Sequence, residues 1–393
     1  MQIYLDYSAT TPCRPEASAA MHAVLTQGWG NPASLHEWGR RAAFTVEQAR
    51  WQVAQLIGAS AESIVFTSGG TEANNLALQG VARHFRQPQH LIISSVEHPA
   101  VANTALELEL QGWQVSRLPV NRAGRVNPED LTAALQPNTV LVSIIYGQSE
   151  VGTVQTIATL GAIAQRHGAI FHTDAVQAVG RLPIDVSSLP IDLLSLSSHK
   201  LYGPQGSGAL YVKPGTPLRP LLEGGGQEQG LRSGTPAVAN LAGFGAAAAC
   251  ALTELQTEPQ RLATLRDRLI HQLQDLEQLE VTGDLQNRLP HHASFCIALP
   301  LLCQSENGIS GRVLVKQMDL AGIAISAGSA CHSGKTQPSD VLTAMGYSPE
   351  QAQTGVRLTL GHATTLEDID WAAMALKQIL FRLTAKTATA ALI

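Results

Sequence analysis

Residues 191–212 read IDLLSLSSHKLYGPQGSGALYV, and the fold turns on how they are parsed. The apolar run 191–196 has the length of a buried strand; it breaks into Ser197, Ser198, His199 and Lys200, and a glycine-rich turn follows. Only that turn, LYGPQGS, separates the run from a second one at 209–212. This is too little chain for a parallel crossover, so the two strands are expected to run antiparallel. A lysine at the mouth of an apolar slot loses hydration, which disfavours its ammonium form and suits it to Schiff-base chemistry. The alternative is a lysine that snorkels out of a strand end.

Upstream, apolar runs at 64–67, 91–94, 115–118, 140–145 and 170–173 alternate with helical segments at 71–85, 99–110, 128–135 and 157–167. With the two runs above, that alternation predicts a doubly wound α/β domain with a seven-stranded, mostly parallel sheet. Before it, 27–59 opens as a Gly/Pro loop and becomes an amphipathic helix carrying Val46, Ala49, Val53 and Leu56. The alanine-rich stretch 241–252 is broken by glycine and too short to span a bilayer, so it reads as a buried helix. Then the pattern changes to a charged helix 260–279, a run 294–299, a helix 312–320, a run 323–326, a Gly/Ser/Thr loop, a strand 356–360, a helix 366–383 and a frayed Thr/Ala tail. This is the layout of a smaller α+β domain. The expected division is 13–257 for the large domain, with 1–12 and 258–393 forming the small one and a cysteine-bearing loop at about 326–340.

A net charge of -5 over 393 residues gives no electrostatic reason to expect nucleic acid or an anionic membrane as partner. The opening MQIYLDYSATTP lacks the basic and apolar regions of a signal peptide, so a cytoplasmic location is expected. Cys13, Cys250, Cys296, Cys303 and Cys331 are odd in number and have no C-x-x-C spacing. Neither a disulfide framework nor a zinc site is indicated, which fits a reducing compartment.

In open α/β sheets, ligands bind beyond the carboxyl ends of the strands. The first run leads into TSGGTEANNLAL, where Gly70 and Thr71 open a helix whose free amides can hold a phosphate. No Gly-Lys-Ser/Thr follows, which excludes a P-loop; an ordinary capped helix is the alternative. His98, in EHPAV, is placed to lay its ring against a flat ligand or to move a proton, or merely to open a helix. In FHTDAVQAVG, Asp174 ends an apolar strand, where a carboxylate needs a cationic partner such as a protonated pyridine nitrogen; a helix N-cap is the other reading. Gln177 follows and can donate to a ring oxygen. A phosphate cradle, a ring-facing histidine, a carboxylate and a desolvated lysine, each at a strand end, form the constellation that pyridoxal phosphate requires. Arg357, in GVRLTLG, can clamp a substrate carboxylate or form a surface ion pair. Cys331 sits among small residues in SAGSACHSGKTQPS, with His332 and Lys335 nearby to favour its thiolate.

The motifs YLDYSATTP, GNPASLHEWG, FTSGGTEANNLA, EHPAV, TDAVQAVG, SSHKLYGPQGSGALY, GGGQEQGLRSGT, SAGSACHSG and VRLTLG span nearly the whole chain. Through them the chain resembles the cysteine desulfurases of the class V aminotransferase family, in the group with a long, flexible cysteine loop. The resemblance implies a fold type I homodimer with pyridoxal phosphate held as a Schiff base on Lys200. Gly70, Thr71, Ser197 and His199 would hold the phosphate, helped by Thr235 of the partner subunit. Asp174 would pair with the pyridine nitrogen, Gln177 would reach the ring oxygen, His98 would stack on the ring, and Arg357 would take the carboxylate of L-cysteine. Lys200, once displaced by substrate, would remove the α-proton, with the cofactor as electron sink. Cys331 would then take the substrate sulfur as a persulfide, release alanine, and pass the sulfur to an acceptor such as an iron-sulfur scaffold. Two positions depart from the family: Ser149, in GQSEVG, stands where an asparagine is usual, and Gln229 replaces a customary arginine. Rival readings are a cystine or cysteine carbon-sulfur lyase, a selenocysteine lyase or an aminotransferase on the same fold, and a cofactor-silent docking protein.

Overall fold

The computed structural model describes residues 2–298, 309–328 and 337–390, with side chains as far as 384. After a short strand β1 (Ile3–Tyr4), the apolar runs become β2 (Ile64–Thr67), β3 (His90–Ser94), β4 (Gln114–Leu118), β5 (Thr139–Ser143), β6 (Ile170–Asp174), β7 (Leu193–Ser197) and β8 (Gly208–Val212). These seven form one sheet in the order β2-β8-β7-β6-β5-β3-β4. The pairs β3/β4, β3/β5, β5/β6 and β6/β7 are parallel, whereas β8 runs antiparallel to both β7 and β2. The short turn between β7 and β8 thus has the consequence its length demands. Every residue of β2, β3 and β7 is buried, which is why their sequences read as unbroken apolar runs. β4 lies at the sheet edge and exposes Gln114 and Arg117, polar groups that discourage further strand pairing.

The crossovers are α3 (Gly70–Ala82), α4 (Pro99–Leu110), α5 (Pro128–Ala134) and α6 (Ile157–His167), preceded by α1 (Pro15–Gln27) and α2 (Glu37–Leu56). The sequence gives little warning of α1, since its buried hydrophobic residues are only Ala17 and Val24. α2 packs against α7 (Val238–Glu254), where a Cβ on Gly245 would lie 2.6 Å from the Ala49 Cα. Glycine is needed for that approach. Among the described residues no single helix is long and apolar enough to cross a membrane.

Beyond α7 the chain builds a second core. α8 (Glu258–Leu273) buries Leu262, Leu265, Leu269 and Leu273 and then stops, short of the expected 279. Residues Leu279–Val281 instead form β9, antiparallel to β10 (His292–Ile297), because ladder bonds to β10 satisfy their backbone. After α9 (Gly311–Leu320), the run expected at 323–326 splits into β11 (Ile323–Ala324) and β12 (Ser326–Ala327). β11 pairs in parallel with β1, while β12 pairs with β13 (Val356–Thr359) in the order β12-β13-β10-β9. Ile3 and Leu5 are buried in this core beside Phe295, Leu358 and Ile369. The closing helix, Leu366–Ala390, continues through the tail expected to fray, in keeping with the helix propensity of alanine.

Candidate functional site

A cavity of about 780 Å³ opens beyond the carboxyl ends of the parallel strands, between the two cores. Gly70, Thr71, His98, Ser149, Asp174, Gln177, Ser197, His199, Lys200 and Arg357 all line it. The topology explains their convergence, since each ends or follows a strand that enters the sheet in the same direction or, for Arg357, lies on β13 facing it.

At the start of α3, a Cβ on Gly70 would sit 2.7 Å from Val176 Cγ2 and 3.6 Å from Ser197 Cβ, so only a backbone fits there. The Ser197 hydroxyl, at the end of β7, is buried without a protein partner. His199 Nδ1 lies 3.1 Å from Thr10 Oγ1, and burial, followed by the Lys200 charge, pushes its imidazole down to about 4. It is therefore neutral near pH 7. Free helix amides, two hydroxyls and a neutral imidazole make a donor set for a phosphate.

The Asp174 carboxylate, 4% exposed, accepts from Asn74 Nδ2 at 2.6 Å and from the Val176 amide at 3.0 Å. Both donors are neutral, so the charge remains uncompensated by them. Gln177 Nε2 donates to the Ser8 carbonyl at 2.8 Å, which leaves its second N–H and its buried Oε1 without protein partners. His98 caps α4 and also opens to the cleft: Nδ1 accepts from the Ala100 amide at 3.1 Å, so Nε2 carries the proton. Burial holds this imidazole below its usual range.

Lys200 Nζ donates to the carbonyls of Ser8 and Ala9, at 2.6 Å each. Burial, then the positive charges of Arg357 and Arg181, push the ammonium down to about 7. Arg357 reaches Asp6 Oδ1 and the Ser149 carbonyl, both at 3.3 Å, and its Nε is buried without a partner. The Ser149 carbonyl is also met by His292 Nε2 at 2.9 Å. Thr235 lies elsewhere in the same chain: it is exposed and borders a separate hollow with Phe66, Ser68 and Arg232. Cys331 lies outside the described residues.

Several participants lie inside the quoted motifs but were given no role from the sequence. Asn74 lies one helical turn into α3, where it binds Asp174. Glu97, beside His98, is fully buried; it accepts from the Ser94 hydroxyl and, at 2.8 Å, from the Ile145 amide, and burial pushes its carboxyl up to about 8. Glu150 lines the cleft, accepts from the Ser339 hydroxyl at 2.6 Å and is pushed up to about 7 by burial. An acidic residue shortly after an apolar run, behind Ser95 and Val96, was the available signal for Glu97.

Pyridoxal phosphate, which the resemblance implies, can be tested against this geometry. Four polar atoms on the cleft residues Asn74, Gln177, Ser197 and Arg357 are buried without protein partners, and a side chain on Gly70 would fill the cradle. The donor set suits a phosphate at one end and the uncompensated Asp174 suits a protonated ring nitrogen, so the residues fit the group.

Comparison with known proteins agrees. The family model described as Aminotransferase class-V matches residues 3–371. The chain is 42% identical to a cysteine desulfurase IscS of Dictyoglomus turgidum, covering 97% of this chain and 95% of that one. It is 43% identical to a cysteine desulfurase IscS of Methylococcus capsulatus, covering 98% and 93%. A solved NifS-like protein superposes with a TM-score of 0.89 at 33% identity, covering 97% of this chain and 99% of that one. The chain belongs to the aminotransferase class-V family and, within it, to the cysteine desulfurases.

Proposed function

We propose that the protein takes sulfur from L-cysteine, releases L-alanine, and carries the sulfur as a persulfide on Cys331 to an acceptor protein. The observation that carries this reading is a buried lysine amine, pushed down to about 7, sharing one cleft with an arginine whose Nε is unpartnered.

Gly70, Thr71, Ser197 and His199 would hold the phosphate of pyridoxal phosphate, Asp174 would face its ring nitrogen, and Lys200 would be the amine that takes its aldehyde. When bound, the cofactor supplies an electron sink for the pair left behind by a departing α-proton. Lys200 is uncharged in a large fraction near neutral pH, which lets it accept that proton at Nζ. Arg357 turns its guanidinium to the substrate carboxylate and fixes the α-carbon within reach of Lys200. His98 would cover one face of the ring and, protonated at Nε2, could exchange a proton with the substrate. Cys331 receives the sulfur as a thiolate. An iron-sulfur scaffold is the proposed acceptor class.

A homodimer completes the site in this reading, through Thr235 of the partner subunit. Its support is a concentration of exposed apolar residues between the end of α1 and the end of α2: Trp29 is 64% exposed, Trp38 51%, Phe44 71% and Trp51 56%. We place the protein in the cytoplasm, where Cys13, Cys250 and Cys296 stay free thiols. The test is direct: L-cysteine should yield alanine, and Lys200→Ala should abolish both that product and the visible band formed with pyridoxal phosphate. Pyruvate and ammonia in place of alanine would convert the assignment to a lyase.

A further inference from the structure

The hydrogen bonds of Lys200 lead to a segment that the proposed mechanism leaves unused. Its Nζ donates to the carbonyls of Ser8 and Ala9, at 2.6 Å each, on the stretch that leaves β1 and crosses the cleft. Gln177 Nε2 donates to the same Ser8 carbonyl at 2.8 Å. Thr11 donates to the His199 carbonyl from its amide at 3.0 Å and from its hydroxyl at 2.9 Å. Arg181, buried below them, donates Nη2 to the Tyr7 carbonyl at 3.4 Å and to the Lys200 carbonyl at 3.1 Å. The backbone that bears the lysine and the backbone that receives its amine are thus clasped together.

The other side of this segment is tied to the second core. The Ser8 amide donates to Thr359 Oγ1 at 2.9 Å, and Ser8 Oγ lies 3.1 Å from His291 Nε2. Thr359 is fully buried on β13, two residues beyond Arg357, whose Nη2 lies 3.3 Å from Asp6 Oδ1. One short strand therefore carries both the arginine that faces substrate and the hydroxyl that fixes Ser8.

We propose that residues 6–11 are a positioning element: the carbonyls of Ser8 and Ala9 receive the Lys200 amine whenever it is not joined to the cofactor, and Thr359 holds them in register. A lysine released from a covalent bond regains four rotatable bonds. Two acceptors at fixed positions confine its amine to one spot in the cleft, so that it stays aimed at the carbon it must deprotonate. Carbonyls accept from a neutral amine and from an ammonium alike, so the cradle serves both before and after the proton arrives.

This inference rests on the reading that Lys200 takes the cofactor, and a Lys200→Ala control separates the two. A visible band that survives in Lys200→Ala defeats that reading; a band that is lost leaves Thr359 as the test. Thr359→Val keeps the shape of a β-branched strand residue and removes the hydroxyl, and Thr359→Ser restores it. We expect Thr359→Val to slow band formation on mixing cofactor-free protein with pyridoxal phosphate by about ten-fold. It should also lower kcat by about ten- to a hundred-fold while the KM for L-cysteine stays within about two-fold, and Thr359→Ser should recover both rates. Wild-type band formation and kcat in Thr359→Val overturn the proposal. So does a parallel change in kcat and KM that Thr359→Ser fails to recover, because a general disturbance of β13 would displace Arg357 as well. If Thr359→Val does not fold, Thr359→Ala, which removes the same hydroxyl from the Ser8 amide, is read by the same two rates with Thr359→Ser as the rescue.

Discussion

Lys200 and Glu97 show opposite consequences of the same burial. For the lysine, desolvation and the nearby guanidinium groups disfavour the charged form and bring it down to about 7. The rate at which cofactor-free protein captures pyridoxal phosphate should therefore rise as pH passes through about 7 and level off above it. Stopped-flow recording of the visible band checks this, and a rate still climbing as pH nears the ordinary lysine value of 10.5 would contradict it. For Glu97, burial raises the carboxyl from 4.5 to about 8, so the folded state holds a proton that the unfolded chain has already released between those values. The stability this contributes is complete below 4.5 and is lost as pH rises through 8. Glu97→Gln, which mimics the neutral acid, should show a shallower loss of stability across that window in urea denaturation; an unchanged slope would count against a protonated Glu97. Lys200, Asp174 and His98 were legible because each lies at or shortly beyond the carboxyl end of an apolar run. Asn74 was not, since an asparagine inside a helix has no pattern of its own, and a cradle of backbone carbonyls at Ser8 and Ala9 leaves no trace in side-chain identity.

At the scale of elements, a single carboxylate joins α2, β2 and the segment leading to Thr235. Arg50, on α2, donates to Glu228 from Nη1 at 2.5 Å and Nη2 at 2.8 Å, and the Phe66 amide of β2 donates to Glu228 Oε2 at 2.8 Å. Glu228 and the neighbouring Gln229 adopt φ values of 49° and 58°, which non-glycine residues rarely take, so the ion pair and the Gln229 bond to the Glu62 carbonyl must hold this turn. Glu228→Gln should lower stability by about 1–3 kcal/mol in urea unfolding, since the buried guanidinium then keeps only the exposed Glu47, 3.2 Å from its Nε, as counter-charge; a loss under about 1 kcal/mol would show that the pair does not hold the turn. The parallel strands and their crossover helices were legible because burial on both faces produces continuous apolar runs, and the reversal of β8 followed from the length of one turn. β9, the division between β11 and β12, and α1 were not legible. Each is too short or too weakly apolar to carry a period, and each exists because a partner distant in sequence supplies its contacts, as β11 does for β1.

At the scale of the molecule, two cores meet across the cleft, and β13 together with residues 6–11 links them. The exposed tryptophans of the α1–α2 region and the displaced position of Thr235 lead to a further expectation: the protein sediments as a dimer, and Thr235→Ala weakens pyridoxal phosphate retention without breaking the dimer. A monomer with full cofactor occupancy would refute the shared site. Burial and pairing organise the cleft from elements that the sequence exposes, but Cys331, the residue proposed to carry sulfur away, is legible only through its motif, among small residues with His332 and Lys335. The most direct test of the whole account is therefore mass spectrometry of the loaded protein after incubation with L-cysteine, with free alanine measured in the same sample. The account predicts alanine together with one additional sulfur atom on the peptide containing Cys331, and no sulfur on that peptide in Cys331→Ala. Alanine formation at the wild-type rate by Cys331→Ala, or a wild-type Cys331 peptide that never gains sulfur, would contradict it.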